Sequence, residues 1–262
     1  MASPVRRQIE NHLLLGTICL EVNRHRPGRV PSYRVSEWSS RIAEAGFAGV
    51  ELWEHHASMA DDAELDAIKA GPAKVVYFNT YTDFSDADRP RMERAAELIG
   101  RLGAVGVKVN FGPDPSKRDE YVRNMRAFLS KVPKTTRLLC ECHSGTIAEV
   151  PETAAELLAA VGSPERVGAI VHVYSDAARL PQWFAQLGSR LAHGHVVMPD
   201  VVAAADLAAD AAPLKVMSDH GFAGTFTIEF VEGWRNPSQT IDELWRLALR
   251  DRQRLLAASA TL

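Results

Sequence analysis

The chain predicts an α/β fold: a single-domain (β/α)8 TIM barrel spanning residues 1–262. Three observations lead there. Eight apolar stretches alternate with eight helical patterns at roughly 33 residues per unit, the spacing of such a barrel. Most of the apolar stretches are nearly continuous, as strands buried on both faces are. A doubly wound open sheet, the main alternative, usually carries a glycine-rich phosphate loop after its first strand, and here that position reads EVNRHRPG.

Residues 1–11 read as a loose lead-in, and LLLGTICL (13–20) as the first strand. A polar loop with two prolines follows. Its Arg24, His25 and Arg26 read as solvated, as loop cations usually are. Ser36 is a candidate cap for a helix in the stretch 36–47, with Ile42, Ala43, Ala45 and Phe47 on its apolar side and Gly46 ending it. AGVELWEHHA is the second strand, DDAELDAIKAG a helix closed by Gly71, and AKVVYFNTYTDF the third strand.

RPRMERAAELIGRLG places Met92, Ala95, Ala96, Ile99 and Leu102 at helical spacing. AVGVKVNFG is the fourth strand, with Lys108 and Asn110 on one face, and KRDEYVRNMRAFLSKV is the next helix. RLLCECHSGT (137–146) is the fifth strand and its outlet. Pro151 suits the first turn of the helix that follows, which ends at Gly162. VGAIVHVY is the sixth strand, ARLPQWFAQLG a short helix interrupted near Pro181, and RLAHGHVVM the seventh strand. DLAADAAPLKVMSDHGF is helical at both ends, with Pro213 a kink or a helix start. AGTFTIEF is the eighth strand, and a long closing helix runs over 238–258.

Barrel chemistry sits at the C-terminal ends of the strands. Strand alternation places Leu139, Glu141 and His143 on one face of the fifth strand. It groups Ile170 with His172, and His193 with His195. On the eighth strand Thr225, Thr227 and Glu229 oppose Phe226, Ile228 and Phe230, and the large apolar set should meet the helices. A lone inward Glu or His is commonly a satisfied core polar group. Four of them at the ends of four consecutive strands point instead to one divalent metal held by Glu141, His172, His195 and Glu229. Two carboxylates with two imidazoles suit Mn2+, Zn2+, Co2+ or Fe2+ better than Mg2+, with Mn2+ the leading expectation. His143 and His193 are candidates to touch substrate or to orient a ligand. The pair His55–His56 reads as surface loop. Glu51 and Lys108 could pair inside the barrel, and Trp53 could floor a pocket or simply pack.

Composition narrows the function classes. The apolar fraction of 46% is enough for a full core. A net charge of −3 with 24% charged residues does not suit nucleic acid or an anionic membrane as a partner. Three cysteines, an odd number with two on one strand face, fit a reducing compartment. The N-terminus has too short an apolar run for a signal peptide, and no stretch approaches the roughly 20 apolar residues of a membrane span. The expectation is a soluble cytoplasmic protein.

The stretches GFAGVELWEHH, LLCECHSGT, AHGHVV and GFAGTFTIEF together resemble the xylose isomerase-like TIM-barrel superfamily of sugar isomerases and epimerases, over roughly residues 13–250. The resemblance implies one divalent metal held by a Glu, an Asp, a His and a Glu after strands five to eight, at positions that here are Glu141, His172, His195 and Glu229. It also implies a small-molecule sugar or polyol substrate, and its members are often dimers or tetramers, which leaves a homo-oligomer open. The chain departs from the pattern at three places. The strand-six Asp is His172, a substrate-contacting His three residues on is Ser175, and a substrate-binding Arg of the ketose 3-epimerases is Val201.

The expected activity is isomerisation or epimerisation by proton transfer next to a carbonyl, through a metal-stabilised enediolate. Glu141 and Glu229 would exchange the proton, and His143, His193, Lys108 and Trp53 would contact substrate. A metal-dependent lyase is the alternative, by β-elimination on a 3-keto-glycoside or by dehydration of a cyclic polyol. A neutral His in place of the Asp leaves the metal a stronger Lewis acid, which suits that chemistry. An abasic-site endonuclease on the same barrel would need more His and Asp ligands and a basic groove. A barrel that binds a small molecule without turnover is the remaining reading.

Overall fold

The computed structural model describes residues 3–199 and 207–262. Val201, and Asp206 at the head of the stretch DLAADAAPLKVMSDHGF, lie outside them. Eight parallel strands close into a barrel in sequence order, β1 pairing with both β2 and β8. The strands are β1 Leu13–Gly16, β2 Val50–Trp53, β3 Val75–Asn79, β4 Gly106–Val109, β5 Arg137–Glu141, β6 Val167–His172, β7 Leu191–Val197 and β8 Thr225–Phe230. The predicted barrel is the observed one.

Ten α-helices are found among the described residues: α1 Pro4–His12, α2 Val35–Glu44, α3 Glu54–Ser58, α4 Asp62–Ala70, α5 Arg89–Leu102, α6 Arg118–Lys131, α7 Pro151–Val161, α8 Leu180–Leu187, α9 Leu207–Asp219 and α10 Ile241–Ser259. The core lies between the helices and the outward strand faces, where Leu138, Cys140, Val171, Phe226 and Ile228 are fully buried. The three cysteines are free and buried. No helix among the described residues is long and apolar enough to cross a membrane.

Local chemistry sets the helix ends. Gly103 ends α5 in the left-handed region at φ 74°. Thr240 and Glu243 form a reciprocal capping box on α10, satisfying two otherwise unpaired backbone N–H groups. Asp61 caps α4 by accepting from Glu64 N at 2.7 Å.

Several boundaries differ from the sequence reading. The lead-in is helical: Ser3 accepts from Arg6 N at 3.1 Å, Pro4 occupies the first turn, and Val5 and Ile9 are buried. The first strand stops at Gly16 and turns into a 3-10 helix over Thr17–Leu20, and the second stops at Trp53, where α3 begins. Both runs are buried through the transition, so hydrophobicity alone carries no mark of the change. Ser36 does not cap α2, which starts one residue earlier; its hydroxyl donates instead to Glu64 at 2.6 Å. Pro181 lies in the first turn of α8 and Pro213 inside α9.

Candidate metal centre

Each candidate ligand stands at or near the C-terminal end of its strand: Glu141 on β5, His172 on β6, His195 on β7 and Glu229 on β8. Barrel closure brings one atom from each to within 4.8 Å of the others. The Glu141 carboxylate lies 2.8 Å from His172 Nε2 and 3.1 Å from His195 Nδ1. His195 Nδ1 is 3.5 Å from Glu229 Oε2. Ligand atoms about 2.1 Å from a common metal stand roughly 3.0–3.4 Å apart, so little rearrangement is needed for these groups to hold one.

Burial dominates the electrostatics. It works against a charged Glu141, yet the Lys108 ammonium and the hydrogen bonds from His172 and His195 hold that carboxyl well below the usual range. Burial raises the Glu229 carboxyl; His195 pulls it down, Glu141 repels it, and the net value is raised. Burial also opposes a charged His195, but Glu51 and then Glu229 hold its imidazole well above the ordinary value. This is a pocket that attracts positive charge. Two carboxylates and two imidazoles are a donor set that fits a divalent cation.

Lys108 lies on Glu141 at 2.8 Å and is buried with it. Burial would lower its pKa, but Glu141 keeps it raised. Asn110 donates to the same carboxylate oxygen, Oε2, at 3.0 Å, which leaves Oε1 to His172 and His195. The Glu51–Lys108 pairing read from the sequence is therefore absent. Glu51 instead accepts from Asn79 Nδ2 at 2.7 Å and stands 3.1 Å from His195 Nε2. The imidazole thus turns Nδ1 toward the ligand cluster and Nε2 toward a buried carboxylate, the arrangement that fixes a metal-binding histidine. Nothing local in the sequence signals this contact, because β2 and β7 meet only across the closed barrel.

His193 lies deeper. It is fully buried, with Nδ1 2.6 Å from the Thr225 hydroxyl and Nε2 2.9 Å from that of Thr227. Thr225 also meets the Tyr77 hydroxyl at 2.8 Å, and His193 Nε2 stands 3.4 Å from Glu51. A polar chain therefore runs through the barrel from Tyr77 through Thr225, His193 and Glu51 to His195. With both ring nitrogens engaged, His193 has none left for a substrate. His143 is exposed, its ring centroid 5.7 Å from that of His172. Trp53 is fully buried under His55, ring centroids 4.5 Å apart. His56 is not a surface residue: it is buried between Thr17, at 2.9 Å, and Glu21, at 3.1 Å. Ser175 is exposed beyond β6.

No protein-family profile and no curated protein matches the chain. Solved structures do. A 3-keto-D-glucoside 4-epimerase from E. coli superposes with a TM-score of 0.65 at 16% identity, over 94% of this chain and 98% of that one. A putative xylose isomerase from Rhodospirillum rubrum gives 0.69 at 12% identity, over 93% and 98%. A sugar phosphate isomerase/epimerase from Parabacteroides distasonis gives 0.59 at 13% identity, over 95% and 93%. At these identities the likeness is one of architecture: the chain shares the (β/α)8 barrel fold of these structures.

Proposed function

We propose that the chain is a divalent-metal-dependent sugar isomerase or epimerase that moves a proton on a carbon next to a carbonyl. The observation that carries this reading is the convergence of Glu141, His172, His195 and Glu229 at the C-terminal mouth of the barrel. A metal bound there supplies Lewis-acid polarisation of the carbonyl and stabilises the enediolate, with Mn2+ the first candidate and Zn2+, Co2+ or Fe2+ the others.

The two carboxylates differ in what they are free to do. Glu141 is engaged by Lys108, Asn110, His172 and His195 and is held as an ionised, oriented group. Glu229 is buried, and its carboxylate accepts no hydrogen bond among the described residues. It is the group free to take a substrate C–H proton and to return it, with Glu141 as the partner on the other side of the substrate. Lys108, fixed on Glu141, stands ready to meet a hydroxyl or a developing oxyanion. His143, exposed next to His172, is available for a substrate hydroxyl.

The test is elemental analysis of the purified protein beside Glu229→Gln, followed by a hydrogen-exchange screen in deuterated water over ketoses, aldoses and 3-keto-glucosides. About one equivalent of metal in the parent, loss in the variant, and deuterium at the carbon next to the carbonyl are expected. A protein that takes up no metal after loading, or a loaded one that exchanges no substrate proton across the panel, sinks the reading. A metal-dependent lyase on the same barrel is the second reading. It is favoured by the structural likeness to an enzyme of 3-keto-D-glucosides and by His172, which is neutral when it ligates a metal. An unsaturated keto-sugar product from a 3-keto-glycoside would select it.

A further inference from the structure

The loops after β1, β2 and β3 enclose a second feature on the C-terminal side of the barrel. An open cavity of about 630 Å3 is lined by His25, Arg26, Arg29, His55, Tyr81 and Arg91, with no carboxylate in its wall. Among the described residues, Arg26 and Arg29 have no carboxylate partner. Arg91 is shared: its Nε lies 3.4 Å from Glu54, and Nη1 donates to the Tyr81 carbonyl at 3.3 Å. Of the other nearby acids, Asp88 stands 3.9 Å from Arg91 Nη1, and Glu21 is taken by His56 and by the backbone N–H groups of Asn23 and Ser32.

Guanidinium groups facing a common cavity repel one another, and without a counter-charge they spend stability. The remaining groups of the wall point the same way. His55 Nδ1 is buried with no hydrogen-bond partner among the described residues, a state buried polar atoms seldom keep unless a ligand or water completes them. Burial, then the charges of Arg29 and Arg91, hold the His55 imidazole below its ordinary value, so a positive field is already present. Arg29 itself sits at φ 46°, a backbone region costly for a residue other than glycine.

The cavity connects to the metal centre through one side chain. The Tyr81 ring has Arg29 Cζ 5.2 Å from its centroid and Lys108 Nζ 5.0 Å from it. Lys108 in turn holds Glu141 at 2.8 Å. A sugar with its carbonyl end between Glu141 and Glu229 would extend past Tyr81 and present its far end to the arginines.

We propose that this pocket is an anion subsite, in which Arg26, Arg29 and His55 hold a negatively charged substituent, a phosphate ester or a carboxylate, at the end of the sugar remote from the metal. Guanidinium forks match both groups by paired hydrogen bonds. The proposal rests on the isomerase reading for the sugar part of the ligand, while the anion site itself is testable without turnover.

Inorganic phosphate and acetate are titrated calorimetrically, at fixed ionic strength, into the full chain and into Arg26→Gln, Arg29→Gln, Glu229→Gln and Arg94→Gln. Saturable anion binding is expected in the parent, weakened roughly tenfold or more by either pocket variant. Both pocket variants replace exposed residues and should keep the parent's metal content. Binding in Glu229→Gln should equal the parent's, so loss of the metal centre and loss of the anion site are read separately. Tighter phosphate assigns a phosphate ester, and tighter acetate a sugar acid. No saturable binding of either anion overturns the proposal. So does binding unchanged in both pocket variants, or an equal loss in Arg94→Gln, which removes a charge from α5 where Arg94 pairs with Glu97.

Discussion

His195 spends both ring nitrogens, one on the ligand cluster and one on Glu51, and the second contact sets the direction of the first. A histidine whose far nitrogen is held by a carboxylate binds metal in one tautomer and one orientation. Glu51→Gln keeps the volume but removes the charge, and it should lower metal affinity by about 10–100-fold, read by competition with a chromogenic chelator. Equal affinity in the variant would leave Glu51 as a core partner only. At this scale the sequence was informative wherever the clue lay within one strand. Parity along β5, β7 and β8 was enough to turn Glu141, His195 and Glu229 the same way. It could not pair Glu51 with His195, because those residues are 144 apart and meet only once the barrel closes. For the same reason Lys108 was matched to the wrong glutamate: inward-facing charges show their parity in the sequence but not their neighbour.

Among the elements, β7 carries the tightest constraint. It places two buried histidines on either side of Gly194, and a Cβ there would lie 2.8 Å from Val173 and 3.0 Å from Phe226. Gly194→Ala should therefore cost about 1–3 kcal/mol by overpacking and should shift both imidazoles. Denaturant unfolding measures the cost, and a midpoint equal to the parent's would contradict it. Element boundaries were less legible than element identity. Strands buried on both faces lack the polar alternation that marks an end, so LLLGTICL ran four residues past the true strand into a 3-10 turn. The N-terminal helix was missed because nine residues with two buried side chains, Val5 and Ile9, give too little periodicity to separate from a polar tail. The cationic loop after β1 was read as solvated for a related reason. Arg24 is in fact buried, donating to the Glu21 and Trp234 carbonyls, while His25 and Arg26 are exposed, and only the tertiary fold sets these two with Arg29 around a shared cavity.

For the molecule as a whole, a metal held by Glu141, His172, His195 and Glu229, from four strands, would couple its binding to barrel closure. A ligand that binds only the folded state stabilises it by about 2.7 kcal/mol at a hundredfold excess over its Kd. In a chain of this size that corresponds to a rise in Tm of roughly 5–10 °C. Scanning calorimetry with Mn2+ and with a chelator should show that difference in the parent and its loss in Glu229→Gln. A Tm indifferent to metal would separate the cluster from metal binding. Eight strand-and-helix units were visible from end to end because the helices between strands are amphipathic and the strands are not. That contrast repeats around the whole barrel and outweighs errors at any single boundary.

The polar chain from Tyr77 to His195 has a consequence for how the barrel finds its alignment. Parallel strands made of Val, Leu and Ile tolerate a two-residue slip, since every side chain stays on its own face and apolar contacts are nearly interchangeable. A slipped β7 would separate Glu51 from His195, and a slipped β2 would separate it from Asn79 as well, leaving a carboxylate uncompensated inside the barrel. Breaking a buried pair in this way costs about 3–5 kcal/mol, a large share of the net stability of most domains. The chain thus works as a proofreading device for assembly: β2, β3, β7 and β8 satisfy it together only in the alignment that also brings Glu141, His172, His195 and Glu229 to one point.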